Sequence, residues 1–92
     1  MTDASLTPQQ LEEIEARCTA ATPGPWRSYI EDRDHASGDS FIMVGEGPNR
    51  REDIYLTGAT DADQDFIAGS RQDVPRLIAE VRRLRRMLGL ET

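Results

Sequence analysis

Asp73–Leu88 reads DVPRLIAEVRRLRRML. Its apolar residues Leu77, Val81, Leu84 and Leu88 are spaced 4, 3 and 4, which gathers them into one narrow seam along a helix. Arg76, Arg82, Arg83, Arg85 and Arg86 fill most of the remaining surface. Asp73 suits an N-cap, Pro75 fits a first turn where a missing N–H costs little, and Gly89 follows as a stop signal. The spacing therefore predicts a C-terminal amphipathic helix over residues 73–88, and the seam is the expected oligomer interface.

Outward from that helix, the chain of 92 residues has the size of one small domain, 1–92, with residues 1–5 expected to fray. A chain this short buries only about two thirds of its unfolded surface. Its large side chains are few: Trp26, Tyr29, Tyr55, Phe41 and Phe66. Pairing of two leucine seams would relieve so thin a core. All eleven basic residues are arginine. Residues 1–73 hold six of them against fifteen Asp and Glu, while residues 74–92 hold five against Glu80 and Glu91. An acidic body argues against general nucleic-acid binding, and the basic helix leaves room for a local anion or an acidic partner.

The remaining elements follow in order. Thr7-Pro8-Gln9-Gln10 forms a capping box with Pro at the first helical position, and Leu6 can staple against Leu11. Leu11, Ile14, Cys18 and Ala21 continue a first amphipathic helix, which Thr22-Pro23-Gly24-Pro25 ends. Three runs then read as strands: 26–31, 41–46 and 53–57. Phe41-Ile42-Met43-Val44 is apolar on both faces and takes the central place in an antiparallel meander. Thr60 opens a short helix through Phe66, Ile67 and Ala68, with Gly69 near its end and a break at 70–73 before the last helix. The expected fold is α+β: an N-terminal helix, a small three-stranded antiparallel sheet, a short helix and the long C-terminal amphipathic helix.

Chemistry is harder to find. Asp61, Asp63 and Asp65 resemble the start of a calcium loop, but its glycine and glutamate positions hold Phe66 and Gln72, so no metal site is expected. His35 lies among carboxylates in a polar loop without a matching nucleophile or second ligand cluster, and a solvated loop accounts for it. Cys18 is the lone cysteine; no internal disulfide can form, and its neighbours suggest a buried thiol. Gly45-Glu46-Gly47-Pro48-Asn49-Arg50-Arg51 could cradle a phosphate on backbone N–H groups, but it lacks the Walker lysine and reads more simply as a hairpin turn. No catalytic residue and no cofactor is expected. The candidate ligand-binding residues are Trp26, as a stacking surface, with Arg27, Arg71, Arg82, Arg83 and Arg86, whose guanidinium forks match phosphate oxygens. Neither a signal peptide nor an apolar run long enough to cross a membrane is present, so the cytosol of the host cell is the expected location.

Ala20-Ala21-Thr22-Pro23-Gly24-Pro25-Trp26 and Asp65-Phe66-Ile67-Ala68…Arg71-Gln72-Asp73-Val74-Pro75-Arg76-Leu77 give the chain a family likeness. It resembles the Ead-like family of small phage and prophage early proteins, whose A-T-P-G-P-W block is followed by a variable middle and a D/N-A-x-F-I-A-x-x-R block. Asp63-Gln64-Asp65 is more acidic than that pattern, and residues 27–57 carry no likeness. The resemblance implies a non-enzymatic phage or mobile-element accessory protein. By analogy of size, it implies an anti-defence homo-oligomer sequestering an anionic nucleotide signal of host immunity. Two alternatives stand beside it: a regulatory protein-interaction module of phage development, and a small hydrolase acting through His35 and nearby Asp residues. A nucleotide binder needs arginines and Trp26 to converge on a cavity, an interaction module an exposed patch, and a hydrolase a cleft.

Overall fold

Thr7 and Gln10 close the first helix as the sequence predicts. The computed structural model describes residues 5–36 and 38–90, so the fraying expected of residues 1–4 lies outside the described residues. The Gln10 N–H donates to Thr7 Oγ1 at 3.0 Å and the Thr7 N–H to Gln10 Oε1 at 2.8 Å. These reciprocal bonds satisfy two of the donors a helix start leaves without partners. Helix α1 runs Pro8–Ala20, and Thr22-Pro23 ends it. The chain divides into two compact units, 1–21 with 74–92, and 22–73.

In the second unit, β1 (Trp26–Tyr29) and β2 (Phe41–Val44) pair antiparallel with Trp26 opposite Val44 and Tyr29 opposite Phe41. On the far side of β2, the Ile42 and Ile54 backbones exchange two hydrogen bonds at 2.8 and 2.9 Å. The sheet thus has two strands, and β2, expected at the centre of three, has a strand on one edge and this bridge on the other. The third strand expected at 53–57 is reduced to this single bridge. With Ile42 facing Ile54, regular pairing would bring Glu52 to Val44, yet it is the Arg51 N–H that donates to the Val44 carbonyl. One extra residue breaks the ladder, as in a β-bulge.

The expected break at 70–73 is also absent. One helix, α2, runs Asp61–Met87 with Pro75 inside it. Pro75 gives up one ladder bond, a local cost that a continuous helix of this length outweighs. Its start is a second reciprocal cap, in which the Asp63 N–H donates to Thr60 Oγ1 and the Thr60 N–H to Asp63 Oδ2, both at 3.0 Å. Its end follows the sequence reading. Gly89 takes a positive φ of 75°, the Leu90 N–H donates to the Arg85 carbonyl, and the Gly89 N–H donates to the Arg86 carbonyl, completing a Schellman motif.

Two glutamines fasten α2 to the sheet. The Gln64 side chain is only 4 % exposed, and its Nε2 donates to Ser28 Oγ and to the carbonyls of Tyr29 and Phe41 at 3.0, 3.3 and 3.0 Å. Two turns on, Gln72 Oε1 accepts the Trp26 N–H at 2.7 Å while its Nε2 donates to the Trp26 carbonyl at 3.2 Å. The core between them is Ile42, Val44 and Ala68, with Trp26, Ile54 and Leu56 packed against it. Close approach at Gly24 belongs to the same device: a Cβ there would come within 3.1 Å of Gln72 Oε1. This gives the T-P-G-P-W block a mechanical role in its unit.

In the other unit Leu11 and Ile78 are the buried apolar residues, and Arg82 Nη1 pairs with Glu15 Oε1 at 2.8 Å. Ile78, 5 % exposed, lies one position off the predicted seam. Leu77, Leu84 and Leu88 are 62, 43 and 72 % exposed, while Val81 is half-buried. The row predicted to be covered is thus left uncovered by its own chain.

Candidate functional site

The six candidate ligand residues are divided between the two units. β-strand alternation sends Trp26 and Arg27 to opposite faces of β1. Trp26 packs into the core and its indole N–H donates to the Thr22 carbonyl at 3.1 Å, whereas Arg27 is exposed and pairs with Glu46 at 3.4 Å. Arg71 lies beside Gly24, its Cγ 3.4 Å from where a Cβ would stand. In the other unit Arg82 is engaged by Glu15, and Arg83 pairs bidentately with Glu80 at 2.5 and 3.1 Å. That pairing holds the Glu80 carboxyl below its ordinary range and raises the Arg83 guanidinium. Arg86 is exposed. Neither the cavity walled by Thr22, Val44, Arg50, Arg51, Glu52 and Ile54 nor the one between Asp39 and Gln64 is lined by any of these six. Apart from Arg27 on β1, the arginines lie on α2, where the ordinary use of such residues is solvation and ion pairing.

The polar loop after β1 is a built structure rather than a loose one. Asp34 Oδ2 accepts the Ile30 N–H at 2.8 Å and two bonds from Arg33. Arg33 reaches on to α2 and grips Asp65 with both arms, at 2.8 and 3.0 Å. The facing guanidinium, with Ser28 as a second donor, holds Asp65 down at about 2, and Arg33 is correspondingly raised. The carboxylate beside His35 is thus committed to structure. The His35 ring itself packs on Phe41, centroids 5.5 Å apart. Among the described residues no group of three or more His, Cys, Asp or Glu is placed to hold a metal ion.

Two surfaces escaped the sequence reading. On the face of the sheet opposite the core, Tyr29 and Phe41 stack at 5.4 Å and Phe41 meets Tyr55 at 6.1 Å. The signal was available in the alternation of Arg27/Tyr29 and Phe41/Met43 against the core-facing Ile42 and Val44. The second surface is an open concavity of about 680 Å³ lined by Thr22, Val44, Arg50, Arg51, Glu52 and Ile54. It adjoins the Gly45–Arg51 turn, but not as a backbone phosphate cradle. The Gly45 N–H donates to Pro25, Asn49 to Glu46, Arg50 to Gly47 and Arg51 to Val44. With four of the turn's amides engaged, little of a continuous backbone cradle is left, and Arg50 and Arg51 supply the positive charge beside it. Arg50 is held by Asp53 at 2.7 Å, while Arg51 has no side-chain partner among the described residues.

Among the described residues no helix is long and apolar enough to cross a membrane. No protein-family model matches the chain, and neither a curated protein nor a solved structure is significantly similar to it.

Proposed function

We propose that the protein is a non-enzymatic accessory protein of a phage or mobile element, acting in the host cytosol as a self-associating interaction module. The observation that carries this reading is the uncovered row Leu77, Leu84 and Leu88 on α2, continued by exposed Met87 and Leu90. Contiguous apolar surface of this kind marks contact sites on soluble proteins. Leu77 and Leu84 occupy one apolar position of a heptad and Val81 and Leu88 the other, the geometry of a two-helix seam. The phage setting is supported by the resemblance of the T-P-G-P-W and D-F-I-A blocks alone. Leu84→Asp places a charge in the row, and light scattering should report a lower assembled mass than the parent chain gives. A parent chain that is monomeric at high concentration, or a mass unmoved by the substitution, refutes self-association through α2.

A second reading is sequestration of an anionic nucleotide. What favours it is the concavity beside Arg50 and Arg51, in place of the arginines of the C-terminal helix. Calorimetry with mono-, di- and cyclic nucleotides tests it, and absence of heat from the whole panel removes it.

A further inference from the structure

We propose that the concavity walled by Thr22, Val44, Arg50, Arg51, Glu52 and Ile54 binds a phosphate monoester carried on a flat, ring-containing body. This deepens the ligand-binding reading above and is independent of self-association. Its volume, about 680 Å³, falls in the range of small-molecule sites, roughly 300–1,000 Å³. Half-buried Ile54, with the little of Val44 that is exposed, gives a small apolar floor for the edge of a ring. The rim carries two consecutive guanidinium groups of unequal freedom. Arg50 is fixed by Asp53, and Arg51 is left to engage a ligand. Because the Arg51 backbone N–H is spent on Val44, its side chain projects from an anchored position. The Arg51 fork can take two oxygens of a terminal phosphate, and Arg50, held on Asp53, adds positive charge to the same rim. Glu52, on the same rim, can accept an amino or hydroxyl proton from the ring body.

Isothermal titration of the full chain at low salt, with AMP as the probe, tests the site. AMP should bind, and adenosine and inorganic phosphate should each bind at least about tenfold more weakly, since each lacks half of the recognised chemistry. Arg51→Ala should weaken AMP by about tenfold or more, the loss expected of one charge-assisted hydrogen bond, and Arg51→Lys by less. The Arg51 side chain is exposed and its backbone bond survives substitution, so circular dichroism of the variants should match the parent. If AMP binds with equal strength to the parent and to Arg51→Ala, ligand binding stands but this site is wrong. If AMP and inorganic phosphate bind alike, the apolar floor plays no part and the proposal fails. If none of the three probes binds, this site is refuted, while the sequestration reading is decided by the wider panel of di- and cyclic nucleotides.

Discussion

Replacing Gln64 by leucine should cost the protein far more than a polar-to-apolar exchange on a helix usually does. Gln64 is buried, and its Nε2 serves Ser28 Oγ and the carbonyls of Tyr29 and Phe41. An amide nitrogen has two protons, so three acceptors share two hydrogen bonds. Leucine fills a similar volume and supplies neither. At about 1 kcal/mol for each bond lost, the destabilisation is about 2 kcal/mol. For a domain of this size that lowers Tm by about 8 to 16 °C. Thermal and urea unfolding followed by circular dichroism would measure it, an unchanged m-value showing that stability alone has moved. Gln64→Glu sharpens the test. A carboxylate keeps the shape but sets an acceptor against acceptors, and burial beside carbonyl oxygens raises the folded-state pKa of the introduced group. Its favourable contribution is then present below the ordinary glutamate pKa and lost as pH rises through the raised folded value. The Gln64→Glu variant should therefore be less stable than Gln64→Leu at pH 7 and recover on acidification. A Gln64→Leu variant melting within about 2 °C of the parent would show that the clamp does not hold α2 to the sheet.

Other outcomes follow from the same geometry. Asp65 is held at about 2 in the fold, below its ordinary value near 4, so its contribution is complete above pH about 4 and is lost as pH falls toward 2; Arg33→Ala should flatten that acid limb in Tm measured against pH. Gly45 combines a φ of +75° with a Cβ position that collides with the Asn49 carbonyl oxygen, whereas Gly58 at φ +80° faces open space. Both alanine variants should lose stability in urea, with Gly45→Ala losing more; equal losses would contradict the close turn. Ile78→Ala should cost about 2–4 kcal/mol in urea unfolding because Ile78 is buried. Leu84→Asp should instead act mainly on assembled mass.

Local signals carried much of this fold. The Thr7–Gln10 box, the Pro-rich stop after α1, the strand at Phe41–Val44 and the Gly89 terminus all depend on residues a few positions apart, and all were legible. What escaped depends on distant partners. Gly69, Ser70 and Pro75 read as a break, yet the helix runs through them, with Gln64 and Gln72 bonded to backbone groups 35 and 46 residues earlier that no local pattern reports. The third strand shrinks to the Ile42–Ile54 bridge, with a slip in register at Arg51 that periodicity does not report. Ile78 and Leu77 are neighbours in a pattern that cannot say which of them its own chain will cover. At the candidate site, Arg50 and Arg51 were visible as charges beside a glycine turn. That the amides of Gly45, Asn49, Arg50 and Arg51 would all be engaged by backbone carbonyls is a property of the folded loop.

The carboxamide of Gln72 has one more effect. By engaging both the amide and the carbonyl of Trp26, it stands where the backbone of an incoming strand would otherwise dock. Edges left open invite sheet-to-sheet addition and runaway fibrillar growth. Here the first rung of β1 is already taken, and Asp34 takes the amide of Ile30 just past its last residue. A strand approaching this margin therefore meets occupied backbone groups at both ends of β1.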